Sequence, residues 1–149
     1  MKIQKAKVIF GAVIAVLAII FLLRGSDKVA TVAIGNTKIQ VEIADDLSEQ
    51  IQGLSGRDLL CGNCGMLFVY KKPELRIFWM KDMSFPLDII FIRDEKVTEI
   101  FESVPFPQSG QEIPVVASTE AADAVLEVNA GFVRKHGIDT ADSALLDRD

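Results

Sequence analysis

Apolar and polar positions follow three different rhythms along this chain of 149 residues. From Val8 to Leu23 no charged or polar side chain interrupts an apolar run of 16 residues. At helical rise that run spans about 24 Å, slightly less than the roughly 30 Å hydrocarbon core of a bilayer. Lys7 and Arg24 flank it, with stems long enough to reach the head groups. From Val29 onward the period drops to two. Val29 to Ile34 and Thr37 to Ile43 are rich in β-branched residues and are separated by Gly35-Asn36, which predicts a hairpin. Asp46 with Glu49 three positions later has the form of a capping box, predicting a short helix over Leu47 to Gln52 that stops at Gly53.

The remaining segments are short. Met66 to Tyr70, Leu75 to Met80, Val97 to Ser103, Val115 to Ser118 and Ala124 to Asn129 read as strands, with Lys71-Lys72-Pro73-Glu74 as a turn. Leu87 to Arg93 is almost continuously apolar, the mark of a strand covered on both faces. Residues 104–114 hold Pro105, Pro107, Gly110 and Pro114 and exclude a long regular element. Phe132 to His136 fits one helical turn, and the tail from Asp139 is compatible with a strand or a frayed helix. Strands at about ten-residue spacing predict a mostly β domain: a jelly-roll-like sandwich or a partly closed barrel with one short helix, preceded by a transmembrane helix. Residues 1–24 are the predicted cytoplasmic tip and anchor, and residues 25–149 the domain.

Charge gives the anchor a direction. Lys2, Lys5 and Lys7 precede the apolar run, whereas Asp27 offsets Arg24 and Lys28 after it. The positive-inside rule then predicts a single-pass protein of the cell membrane, held through residues 8–23, with its N-terminus cytoplasmic and its domain extracytoplasmic. A cleavable signal peptide is the alternative, but no Ala-x-Ala pattern ends the run. Beyond residue 24 the chain holds 12 basic and 21 acidic residues, a formal charge of −9. A surface so acidic repels phosphate backbones, so nucleic acid is not an expected partner. His136 is the sole histidine, which leaves little room for zinc sites or Ser-His and Cys-His pairs.

Two groups of residues carry possible chemistry. Cys61-Gly62-Asn63-Cys64 predicts a disulfide outside the cytoplasm. It serves either to pin the loop before Met66 or as a thiol–disulfide exchange site, and the latter requires a feature that depresses a thiol pKa. Met66, Met80 and Met83 are soft enough for Cu(I) but are the usual fillers of strand cores, and neither a metal nor a cofactor is expected. The second group is Arg57, Trp79, Lys81, Asp88 and Glu127. Asp88 opens an otherwise apolar strand, and Glu127 lies between Leu126 and Val128, on the face opposite theirs if the strand alternates. Carboxylates in such places need partners. Arg57 is the expected partner of Asp88, with Lys81 or a backbone amide next. The set forms either a structural ion pair or a polar face that, with Trp79, handles a carbohydrate or lipid.

Several separated blocks in the right order resemble the DUF192 family. They are Gly53-Leu54 with Arg57, Gly65 to Val69, Phe78 to Lys81, Pro86 to Ile92 and Leu126 to Gly131. The resemblance implies a single jelly-roll-like β domain with a short helix near its start, commonly behind an export or anchor segment. It implies no activity. Two places depart from the family pattern: Leu54-Ser55-Gly56-Arg57 replaces Leu-Met-x-Arg, and Thr140-Ala141-Asp142 stands where Gly-Asp commonly precedes a last strand. The expected role is a membrane-tethered domain that binds a small ligand or an envelope protein without catalysis. The rivals are an oxidoreductase using Cys61 and Cys64, and a carbohydrate- or lipid-handling domain using the polar face.

Overall fold

The β-branched alternation at the start of the domain produces the hairpin it predicts. Val29–Ile34 (β1) and Thr37–Ala44 (β2) pair antiparallel, with Val32 opposite Ile39. The computed structural model describes residues 28–147. The membrane helix predicted from residues 8–23 and the cytoplasmic tip lie outside that range. Among the described residues no helix is long and apolar enough to cross a membrane.

Leu47–Gln52 (α1) follows, closed by the capping box read from the sequence: Glu49 N–H donates to the Asp46 carboxylate at 2.9 Å, and the Glu49 carboxylate accepts from the Asp46 amide. The other elements are Cys64–Glu74 (β3), Ile77–Trp79 (β4), Leu87–Arg93 (β5), Lys96–Val104 (β6), Val115–Ala117 (β7), Ala122–Asn129 (β8), Phe132–His136 (α2) and Ala144–Asp147 (β9). Seven strands form one sheet in the order β6-β5-β8-β3-β2-β1-β9, antiparallel except for the β2–β3 pair. β4 and β7 make a separate two-stranded sheet.

The large sheet curls until its two outer strands meet at one end. Lys96 of β6 bridges Ser143 just before β9, Val97 N–H donates to Asp142 O at 2.9 Å, and Ala144 N–H donates to Glu95 O at 2.8 Å. The result is the partly closed barrel rather than an evenly divided sandwich. Inside the curl, Val32, Ile39, Val41, Leu67, Ile90, Leu126 and Val128 pack together, and Phe132 and Val133 of α2 plug one end. A second apolar cluster covers the outer face of β3, β5 and β8 with Leu54, Phe78, Met80 and Met83. Leu87 to Ile92 are therefore buried without interruption, as the apolar run predicts. Gly65 belongs to this tight middle: a Cβ there would lie 2.7 Å from Glu127 O.

Two segments differ from the sequence reading. Lys71 to Glu74 continue β3 instead of turning. Pairing with β8 slips after Val69 and resumes at Glu74 opposite Ala122, so Pro73 sits in an irregularity where no ladder amide is required. Arg76 holds this extension, donating to Lys72 O at 2.6 Å and to Ala122 O at 3.2 Å while stacking over Tyr70. The acidic tail resolves into β9, because its backbone edge completes β1.

Asp88 is held by backbone amides, the later of the candidates read from the sequence, and not by Arg57. Its carboxylate, wholly buried, accepts from Ser103 N–H at 2.8 Å, Gly131 N–H at 3.1 Å and Val133 N–H at 2.9 Å. Backbone amides thus satisfy its oxygens, and Arg57 instead forks onto Glu42 at 2.5 and 2.6 Å. The reason is local. Ser103 has φ 54° where β6 slips past β5, so its amide turns toward Asp88, and α2 has no side-chain cap on its own N-cap Gly131. Asp88→Ala strands one buried and two partly buried donors and is expected to cost about 2–4 kcal/mol in denaturant unfolding. Asp88→Asn should also destabilise, since its amide end faces another donor. A loss below about 1 kcal/mol for the alanine variant, the range of an ordinary surface substitution, would contradict this role.

Candidate functional site

β8 alternates, and alternation places its one central acid. Leu126 and Val128 enter the barrel interior, whereas Glu127 points to the opposite face, between Met66 of β3 and Ile89 of β5 in register. That face is covered by α1, the loop after it and β4, so Glu127 remains only 5% exposed. Its carboxyl lines a small pocket with Gln50, Gln52, Ser55, Phe68, Tyr70 and Trp79. The space is about 70 Å³, enough for roughly two waters. Phe68 and Phe78 form one wall, packed edge-on with centroids 4.8 Å apart. Trp79 stands at the rim, half-exposed.

Glu127 makes no hydrogen bond or ion pair with any described residue. Burial alone pushes its carboxyl up to about 8, so it is mostly neutral at pH 7. Burial likewise raises the Tyr70 hydroxyl to about 12, with Arg76 opposing and Glu127 adding to the shift. The polar groups beside Glu127 are already oriented. Gln50 donates both amide hydrogens, to Ala44 O at 3.3 Å and Val69 O at 3.0 Å. Gln52 donates to Ser55 O at 2.8 Å, and the Ser55 hydroxyl donates to Lys81 O at 2.8 Å.

Of the residues singled out from sequence, the structure brings Trp79 and Glu127 to this pocket, with Lys81 near its rim 5.7 Å from the Trp79 ring centroid. Arg57 and Asp88 are not part of it. Arg57 lines a separate, wider hollow with Lys28, Glu42 and Glu49, where its two hydrogen bonds hold the Glu42 carboxyl below the usual range. Asp88 belongs to the backbone framework described above. The single polar face of Arg57, Trp79, Asp88 and Glu127 does not exist as one surface, because Asp88 is sealed around the entry to α2.

Cys61 and Cys64 are joined by a disulfide. Asn129 donates to Cys61 O at 2.8 Å and Asn63 donates to Lys38 O at 2.8 Å, pinning the loop to β8 and β2. Cys64 opens a strand, so no helix N-terminus is available to depress a thiol pKa. Met66, Met80 and Met83 are buried among aromatic and aliphatic side chains as core. His136 lies against the Phe132 ring at 4.2 Å. No group of three or more His, Cys, Asp or Glu side chains that could hold a metal occurs among the described residues.

The sequence reading missed Gln50, Gln52, Phe68 and Tyr70. Alternation along β3 puts Met66, Phe68 and Tyr70 on one face, but only the pairing of β3 with β8 shows that Glu127 shares it. The glutamines join through the packing of α1, which no local pattern encodes.

Comparison with known proteins supplies relatives without an activity. The DUF192 family model, described as "Uncharacterized ACR", matches residues 30–145. A crystal structure from Sinorhizobium meliloti 1021, provisionally described as a transcription regulator, is 28% identical with a TM-score of 0.74, covering 81% of this chain and 95% of that one. A protein of unknown function from Novosphingobium aromaticivorans DSM 12444 is 30% identical with a TM-score of 0.71, covering 78% of this chain and 84% of the other. No curated protein matches.

The raised Glu127 pKa has a stability consequence of definite sign. An unfolded Glu titrates near 4.5 and the folded one near 8. Between those values the unfolded chain has lost the proton that the native state keeps, so stability falls by about 1.4 kcal/mol per pH unit as pH rises. The loss is absent below the unfolded pKa and complete above about 8. Glu127→Gln removes the titration and should shrink the stability difference between pH 5 and 8.5 by about 3–5 kcal/mol in urea unfolding. Parallel wild-type and variant profiles would show that the carboxyl is not held neutral.

Proposed function

The chain belongs to the DUF192 family, and on that premise we propose that it is a non-catalytic binding domain, tethered through residues 8–23 with residues 25–149 outside the cytoplasm, that holds a small ligand in the Glu127 pocket. The observation that carries the binding role is Glu127 itself: a buried carboxyl with no partner among the described residues, facing an open pocket. Such a group weakens the fold at neutral pH, and a site that accepts that cost commonly does so for function. A small ligand suits the pocket better than an envelope protein, because the polar group lies below the rim rather than on it. A hexose carries several times as many non-hydrogen atoms as the interior, about 70 Å³, has water positions, which argues against the sugar-binding reading. The disulfide lies at the start of a strand rather than at a helix N-terminus, which argues against exchange chemistry. The regulator description of the Sinorhizobium meliloti neighbour is not carried over, since a formal charge of −9 beyond residue 24 opposes DNA binding.

Two measurements check this reading. Protease added to intact spheroplasts should digest residues 25–149; a protected domain contradicts the topology. In a thermal-shift screen of small metabolites, some compounds should raise the Tm of the wild type and leave a pocket-filling Ser55→Phe variant unchanged. Equal shifts in both, or none in the wild type, contradict binding at this pocket.

A further inference from the structure

We propose that the Glu127 pocket takes a cationic nitrogen head group, an ammonium or a guanidinium, with Glu127 as its counter-ion and aromatic rings around it. This rests on the binding reading above and names its ligand class. A donor and acceptor census carries it. The Gln50 amide has both hydrogens committed to backbone carbonyls, and Gln52 and Ser55 each donate elsewhere. The side-chain oxygens of Gln50, Gln52 and Glu127 accept from no described residue, and the Tyr70 hydroxyl is the remaining side-chain donor in the lining. A ligand that satisfies these oxygens must bring N–H or O–H donors, and only a cation also matches the charge of an ionised Glu127. Among the described residues no Lys, Arg or His lines the pocket. The rings of Phe68 and Phe78 line the pocket and favour a nearby cation, while Tyr70 and Trp79 beside them already hold Arg76 and Lys81 over one face each.

The charged groups nearby are occupied. Arg76 lies over the Tyr70 ring at 3.6 Å and donates to Ala122 O and Lys72 O, and Lys81 sits over Trp79. Neither pairs with Glu127. The other titratable group in the lining is Tyr70 on β3; the residues that α1, the following loop and β4 contribute are uncharged. An anion would meet the carboxyl and the glutamine oxygens, and an apolar ligand would leave them unsatisfied. The interior, about 70 Å³, holds a head group and its first carbons.

Because Glu127 is mostly protonated at pH 7, a bound cation displaces one proton from it to solvent. Affinity should therefore rise about tenfold per pH unit until the carboxyl is ionised near pH 8.

Trp79 is the only tryptophan, so its emission reports directly on the pocket rim. The full chain in detergent micelles is titrated with n-propylammonium and methylguanidinium, and with n-propanol, methylurea and propionate as neutral and anionic matches. The inference expects a saturable response to the two cations alone, proton uptake by the buffer on binding, and tightening between pH 6 and 8. Glu127→Gln, folded by circular dichroism, should weaken the cations at least tenfold and lose the pH dependence. A saturable response to propanol or methylurea as strong as to the cations, lost in Ser55→Phe, would keep a binding pocket and overturn the cationic class. Cation binding unchanged in Glu127→Gln, or no saturable response to either cation up to 0.1 M, also overturns it.

Discussion

The strand β8 has no wet face. It lies in the middle of a seven-stranded sheet whose inner side is filled by the barrel core and whose outer side is covered by Leu54, Phe78, Met80 and Met83. Most strands of curled antiparallel sheets can send every second residue to water; β8 cannot. Whatever side chain occupies position 127 is desolvated by the fold, and the register beside Met66 and Ile89 gives it no way out. Gly65 tightens the constraint, since β3 approaches β8 there too closely for a side chain. An acid at this point is a consequence of sequence choice set against a fixed environment, and its chemistry follows from that environment.

The domain holds two buried carboxyls and treats them in opposite ways. Asp88 receives three backbone amides, from the irregular end of β6 and the entry to α2, and so ties the β5–β6 hairpin to the plug that closes the barrel. Its charge is matched within the framework. Glu127 receives none, and its proton is retained instead. The same low-dielectric interior thus makes one acid a structural clamp and the other an unsatisfied group open to a pocket. Replacing either acid with an apolar residue would have different results: the first would unpair amides, whereas the second would remove only a cost. That asymmetry separates scaffold from site more sharply than exposure does.

Much of the scaffold was legible in the sequence, because local patterns determine it. The β1–β2 hairpin, the capping box of α1 and the doubly buried β5 follow from period, turn residues and composition. The family blocks foretold a β-rich domain, and they fall on the tightest parts of the structure, around Gly65, Asp88 and Glu127. What escaped depends on long-range pairing. Arg57 was expected beside Asp88 because a buried acid needs a partner and Arg57 was the cation at hand; the slip of β6 at Ser103 supplies amides that no spacing rule foresees. The Lys-Lys-Pro turn became strand because Arg76 reaches back to hold it. Glu127 and Trp79 stood out in the sequence and line one pocket, but their neighbours there, Gln50, Phe68 and Tyr70, come from three-dimensional packing.

The central claim is that Glu127 stays neutral near pH 7 for want of a partner and ionises when a cation arrives. Carbon-13 NMR of the side-chain carboxyls, with Glu127 assigned through the Glu127→Gln spectrum, measures this directly. A titration midpoint near 8 in the free protein, moving down when n-propylammonium is present, is the predicted result. A midpoint in the ordinary range of Glu, close to 4.5 and indifferent to the cation, would contradict it.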